Sequence, residues 1–368
     1  MYGLKYTGEK DIAGCGLAGI INIKRERISG SFIKRSIALQ HERGNGLGGG
    51  FAAYGIYPEY KDYYALHLMY QSDEAKRVTE EFIHHNFAVV KHELIPTRPS
   101  PVISNAPLFW RYFVLPKEEI RAQIANITQD DFVVRMVMRI NEDITDAYVV
   151  SSGKNMGVFK GVGYPEDIAD YFILEDYEAY IWTAHNRFPT NSISWWGGAH
   201  PFAILDWAIV HNGEISSYGI NKRYIEMFGY KLALLTDTEV VTYIFDLLIR
   251  KQKLPMHLAV AAIAAPFWKN IDRMPDDERE LFSAIRMVYG SALLNGPFAL
   301  LLSHKEGLIG ISDRIKLRPL VAGRKGDFVY MASEEAAIRE IADDLDRIWH
   351  PTPGHPLIVE LDKGVVCE

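Results

Sequence analysis

Apolar positions first gather at Cys15-Gly16-Leu17-Ala18-Gly19-Ile20-Ile21-Asn22-Ile23, behind a polar stretch over residues 1–14. A short, partly β-branched run carrying small residues predicts a buried strand. Phe32, Ile33 and Ile37 then recur at helical spacing and predict a helix over residues 31–41. It stops at Arg43-Gly44-Asn45-Gly46, and Gly48, Gly49 and Gly50 follow, a density that signals close backbone approach or positive φ. Within residues 60–145 the pattern predicts helices over 72–89 and 117–127. The second opens after Pro116, with Glu118 and Glu119 in its first turn. Residues 96–101, Pro-Thr-Arg-Pro-Ser-Pro, read as a loop, and 60–145 as an α/β elaboration without evident chemistry.

From Asp146 onward strands dominate. Residues 147–151 and 158–160 flank Gly153-Lys154-Asn155 and predict a hairpin, and 180–184 and 207–210 are two further apolar runs of strand length. A second hairpin is predicted from 298–303 and 308–312 around residues 304–307, then a strand at 329–332 and a helix opening at 333–336. Antiparallel strands interrupted by a few long helices predict an α+β fold with stacked sheets.

Composition narrows the class. Of 368 residues, 48% are hydrophobic and 24% charged, so the chain has the means to build a core. A net charge of −7 argues against a general nucleic-acid or anionic-membrane binder. With two cysteines, Cys15 and Cys367, there is neither a disulfide framework nor a zinc-like cluster, and a reducing compartment fits. Residues 1–14 lack the apolar run of a signal peptide, and no stretch reaches the roughly 18 apolar residues of a membrane span. A cytoplasmic, soluble protein is expected, binding neither metal nor cofactor of its own.

Five segments carry candidate chemistry, and each has a plainer reading. Cys15 at a strand edge is either an inert small apolar residue or a nucleophile. If the Gly14–Cys15 bond is cut, Cys15 gains a free α-amine beside its thiol. The reference pKa of such an amine is about 7.7–8.0, against about 10.4 for lysine, so it can act as a built-in base. Arg187, in Trp182-Thr-Ala-His185-Asn186-Arg187-Phe188-Pro189-Thr190-Asn191-Ser192, is a residue of a solvated turn or a guanidinium fork for a carboxylate. Asn212-Gly213, within His211-Asn212-Gly213-Glu214-Ile215, is a two-residue hairpin turn or a pair of donors for an oxyanion. Thr236 and Glu239 form a capping-box pattern; Asp237 between them suits a helix N-terminus or a ligand ammonium. His41-Glu42-Arg43 ends a helix or supports the site. Taken together, a thiol, a base, an oxyanion hole, a cation and an anion suit an α-amino acid with a hydrolysable side-chain amide, glutamine or asparagine.

The order Cys15-Gly-Leu-Ala-Gly, His41…Arg43-Gly44, His185-Asn-Arg187-Phe-Pro-Thr190-Asn, His211-Asn212-Gly213-Glu214, Thr236-Asp237-Thr-Glu resembles the class II glutamine amidotransferases, above all the amidotransferase domain of glutamate synthase. Gly296-Pro297-Phe298-Ala299, Asp313-Arg314…Leu317-Arg318-Pro319 and Ala332-Ser333-Glu334 extend the resemblance from about residue 15 to about 340. It implies the four-layer αββα sandwich of N-terminal-nucleophile hydrolases, with residues 1–14 a propeptide and 15–368 one amidotransferase domain. It further implies Cys15 as nucleophile and base, Arg187 for the glutamine carboxylate, Asp237 for its ammonium, and Asn212 with Gly213 as oxyanion hole. Arg43 would support the site and Thr190 would sit in a closing loop. Pro189 stands where the family usually has serine, and Ser216-Ser217 where it has Asn-Thr.

The flavin-barrel and iron–sulfur segments of glutamate synthase are absent from these 368 residues. The reading is therefore a glutaminase subunit that hydrolyses glutamine to glutamate and ammonia for a separate partner, an FMN-containing, glutamate synthase-like flavoprotein. The alternatives are another acceptor such as phosphoribosyl pyrophosphate, and a non-catalytic regulatory or binding subunit in which Cys15 stays unprocessed.

Overall fold

A computed structural model of the chain describes residues 14–189 and 193–368. The expected first strand is Gly16–Asn22, buried along its whole length. It lies between Ile181–Asn186 and Phe328–Ala332, antiparallel to both. A seven-stranded sheet results, in the order Arg347–Trp349, Val321–Lys325, Phe328–Ala332, Gly16–Asn22, Ile181–Asn186, Gly49–Tyr54, Met156–Gly161. A second sheet of six runs Phe202–Ile204, Trp207–Gly213, Phe298–His304, Gly307–Ser312, Leu357–Glu360, Gly364–Cys367.

Strand alternation sorts the side chains into layers. Leu17 and Ile21 face the second sheet and meet Val210, Leu301 and Leu308. Gly19 shares that face because a Cβ there would lie 3.0 Å from Cδ1 of Leu301, so the two sheets close up over a missing side chain. On the opposite face Ala18, Ile20 and Trp182 pack against Ile33 and Ile37 of helix Gly30–Ala38 and Ile168 of helix Pro165–Tyr171. Ile209, Leu300 and Ile309 cover the outer side of the second sheet with Val240 and Ile244 of helix Asp237–Phe245 and Val260 of helix Met256–Ile263. Each such side chain is worth about 1.5–3 kcal/mol when withdrawn from water. The order helix–sheet–sheet–helix is the αββα sandwich. No helix of the described residues is long and apolar enough to cross a membrane.

Several local expectations change. Residues 60–145 supply three strands of a four-stranded sheet, Phe87–Leu94, Leu108–Pro116 and Tyr64–Tyr70, which Ala147–Ser151 completes, and they carry helices Asp73–Asn86 and Gln129–Asp143. The helix predicted to reach residue 89 stops at Asn86, and Phe87 begins a strand. Only Glu118–Arg121 of the second predicted helix is helical. The hairpin predicted around Gly153 does not form. Ala147–Ser151 joins the four-stranded sheet, whereas Met156–Gly161 forms the edge of the seven-stranded one, so the four residues Ser152-Gly153-Lys154-Asn155 bridge two sheets. The hairpin Phe298–His304/Gly307–Ser312 forms as expected, closing at His304 opposite Gly307.

Candidate active site

Three strand termini and one helix start converge at one edge of the sandwich. Cys15 immediately precedes the central strand, and Gly16 pairs with Asn186. The residue after Asn186 is Arg187, so strand register alone brings Cys15 and Arg187 together. The Cys15 carbonyl accepts from Nε of Arg43 at 3.0 Å, and Nη1 of Arg43 is held by Glu334 at 2.8 Å. The Cys15 thiol receives the backbone N–H of Phe188 at 3.3 Å. Burial pushes this thiol up, while the Phe188 N–H and the nearby Arg187 charge pull it back part of the way.

The guanidinium of Arg187 is buried with 2% of the residue exposed. Burial lowers its pKa, and the proximity of Cys15 and Asp237 opposes that shift. Its Nη1 and Nη2 lie 3.5 Å from the carbonyls of Leu47 and Ile193. Gly48 makes room for the stem, since a Cβ there would lie 2.8 Å from Cδ of Arg187.

Asp237 is the first residue of helix Asp237–Phe245, capped by the Thr236 side chain through the Glu239 N–H at 3.1 Å. The box is not reciprocal. The Glu239 carboxylate instead accepts the N–H groups of Ala233, Leu234 and Leu235, and burial raises its pKa to about 7. Asp237 accepts the Ile215 N–H at 3.0 Å and faces Nδ1 of His211 at 3.7 Å. Burial acts to raise the Asp237 pKa, but His211, the Ile215 N–H and the Thr238 hydroxyl together hold it below the ordinary carboxylate value.

Asn212 and Gly213 are the last two residues of strand Trp207–Gly213 and pair with Ala299 and Phe298, which rules out the turn reading. The ladder overrides the local turn preference of Asn-Gly. Gly213 has φ +151°, and a Cβ there would sit 2.0 Å from the Pro297 carbonyl. The Asn212 amide is buried, and neither Oδ1 nor Nδ2 has a hydrogen-bond partner among the described residues.

A cavity of about 350 Å³ opens between these elements, walled by Cys15, Arg187, His200, His211, Gly213 and Asp237 among others. Neither Arg43, which binds the Cys15 carbonyl, nor Asn212 is part of this wall, and Thr190 is outside the described residues, as are residues 1–13 of the expected propeptide.

Sequence reasoning missed a polar bed under this cavity. The buried rings of His185 and His200 stack at 4.0 Å, and Thr238 joins His200 to His211. Burial lowers the His185 pKa to about 3 and carries that of His200 well down. Lys160, 1% exposed, gives Nζ to the carbonyls of Gly197 at 2.9 Å and Pro201 at 3.2 Å, and burial pushes its pKa down to about 7. A lysine within the run Gly157-Val158-Phe159-Lys160-Gly161 was the available signal, since a charge in a doubly covered strand must find partners.

The sequence profile of the class-II glutamine amidotransferases matches residues 61–368, a span that begins beyond Cys15 and Arg43. An uncharacterized protein of Archaeoglobus fulgidus is 54% identical over 356 residues, 96% of this chain and 94% of its own length. The large chain of NADPH glutamate synthase from Bacillus subtilis is 28% identical over 244 residues, which is 60% of this chain and 15% of that one. The amidophosphoribosyltransferase of Methanocaldococcus jannaschii is 24% identical over 220 residues, 59% of this chain and 40% of that enzyme.

Proposed function

Because the chain belongs to the class II glutamine amidotransferases, we propose that it hydrolyses glutamine to glutamate and ammonia at Cys15 and delivers the ammonia to a separate synthase subunit. What carries this reading is that Cys15, Arg187 and Asp237 wall a single cavity of about 350 Å³. Arg187 offers a desolvated fork to the α-carboxylate and Asp237 an anion to the α-ammonium. The side-chain carboxamide then reaches Sγ.

The chemistry follows acyl transfer through a thioester. The Cys15 sulfur attacks Cδ of glutamine, and the thiol proton passes to the base, which in this reading is the Cys15 α-amine freed by cleavage of the Gly14–Cys15 bond. The carbonyl oxygen becomes an oxyanion, met by Nδ2 of Asn212 and the N–H of Gly213. The Cδ–N bond breaks, and the nitrogen leaves as ammonia with the proton returned by the amine. Water then adds to the thioester, giving glutamate and restoring the thiol.

The identity to a glutamate synthase large chain supports a flavoprotein partner, FMN-containing and glutamate synthase-like, that uses the ammonia to make glutamate. A second reading sends the ammonia to phosphoribosyl pyrophosphate, supported by the identity to an amidophosphoribosyltransferase.

The test is the N-terminal residue, determined by intact mass, together with glutamate release from glutamine by the same sample. Material beginning at Cys15 should turn over, and Cys15→Ala should lower the rate by at least about 10³-fold. A chain that begins at Met1 and releases no more glutamate than the variant would leave only the non-catalytic subunit.

A further inference from the structure

Thr238 is fully buried one residue beyond Asp237, and its Oγ1 has three polar neighbours. Nε2 of His200 lies at 2.8 Å, Nδ1 of His211 at 3.1 Å and Oδ1 of Asp237 at 3.2 Å. A hydroxyl has one hydrogen to donate and two lone pairs to accept with, so three neighbours fill it. An ionised carboxylate can only accept. The Thr238 hydrogen therefore goes to Asp237, and both imidazole nitrogens must carry hydrogens of their own.

That settles the tautomers. His200 donates from Nε2, and His211 donates from Nδ1. His185 shares a stack with His200 and donates from its own Nε2 to the His211 carbonyl at 2.9 Å, which fixes the backbone of the His211 strand. Nε2 of His211 is left without a hydrogen-bond partner among the described residues, 2.9 Å from where a Cβ on Gly213 would stand. His211 and Gly213 both wall the cavity.

We propose that Thr238 is a positioning residue of the glutamine site: its one hydroxyl aims the Asp237 carboxylate at the substrate ammonium and holds His211 with hydrogen on Nδ1. The inference rests on the ammonium-binding role of Asp237 given above. Removing the hydroxyl leaves two buried N–H groups without an acceptor and takes one donor from Asp237, so the loss falls on binding of the amino-acid head rather than on the thiol chemistry.

Thr238→Val keeps the side-chain shape and deletes the hydroxyl. It should raise KM for glutamine by about 10–100-fold, the range for lost hydrogen bonds to a charged group, and leave kcat within about threefold. Thr238→Ser, which keeps the hydroxyl, should stay within about threefold of wild type in both constants. In an Asp237→Asn background the valine substitution should add less than about threefold, because the two act through one contact. A lower kcat at unchanged KM, an equal loss with serine and valine at unchanged thermal midpoint, or full additivity with Asp237→Asn overturns the proposal. If the wild type releases no glutamate, it is the functional reading that fails. Thr238 is then judged by the Kd of glutamine for Cys15→Ala protein with and without Thr238→Val, measured by calorimetry. The same 10–100-fold weakening is expected, and equal affinities, or no binding to either, overturn it.

Discussion

The backbone N–H of Phe188 points at Sγ of Cys15 across 3.3 Å, so the turn that mounts Arg187 also cradles the thiol. The cradle is partial. Burial still leaves the thiol above its ordinary pKa, with the Phe188 N–H and the Arg187 charge working against it. Such a thiol does not ionise unaided near neutral pH and needs a base beside it.

With a freed α-amine as that base, kcat/KM for glutamine hydrolysis should climb about tenfold per pH unit on the acid side. It should level off near the reference amine value of about 7.7–8.0. A profile from pH 6 to 9 measures this, and a flat profile on protein beginning at Cys15 would remove the amine from the mechanism.

Arg187→Lys keeps the charge and loses the fork. We expect KM for glutamine to rise by about 10–100-fold, the loss of a charge-assisted pair in a desolvated wall, with kcat changed far less. Steady-state kinetics at saturating and subsaturating glutamine separate the two. An unchanged KM would place the carboxylate elsewhere.

Asn212→Ala should behave in the opposite way. An oxyanion donor acts on the transition state, so kcat should fall by about 10²–10³-fold while KM stays near that of wild type. The buried amide has no hydrogen-bond partner among the described residues to lose, and its removal should therefore leave the urea midpoint close to that of wild type. A large stability loss without a kcat effect would make Asn212 a packing residue.

Lys160 gives a prediction about stability. Its folded pKa of about 7 lies below the ordinary lysine value. Between the two, the unfolded chain holds more protons than the folded one, so folding becomes more favourable as pH rises through that window. The slope approaches 1.4 kcal/mol per pH unit, roughly, for this one group. Wild type minus Lys160→Met, compared by urea unfolding from pH 7 to 10, should show that rise. A pH-independent difference would mean that Lys160 stays charged. The neutral amine still has two hydrogens for the carbonyls of Gly197 and Pro201, so the segment remains tied on both sides of the titration.

The site was legible where chemistry sits next to a strand end or a helix cap. Cys15 precedes a strand that its own apolar run announces, and Asp237 follows a capping threonine. Asn212 and Gly213 looked equally like a turn, because local preference favours that reading and only pairing with Phe298 and Ala299 decides against it. His200 and Thr238 carry no local mark at all, since their relation exists only once segments 38 residues apart are packed. The four-stranded sheet was missed for a different reason. Tyr64–Tyr70 is buried along its entire length and shows no alternation to read. Phe87–Leu94 does alternate, but it follows Asn86 without a break, so the helical period ran on into it. The Gly153 hairpin failed because flanking strands and a glycine specify a bend, not which sheet each strand joins.

Three distant stretches of the chain meet at Cys15. Arg43 grips its carbonyl, Phe188 its sulfur, and the Gly16–Asn186 pairing sets its height at the sheet edge. These partners lie 28 and 173 residues along the chain from Cys15, so the place of the sulfur is a property of the assembled sheet edge and not of its sequence neighbourhood. A substitution that shifts the strand pairing would therefore move the thiol without touching it.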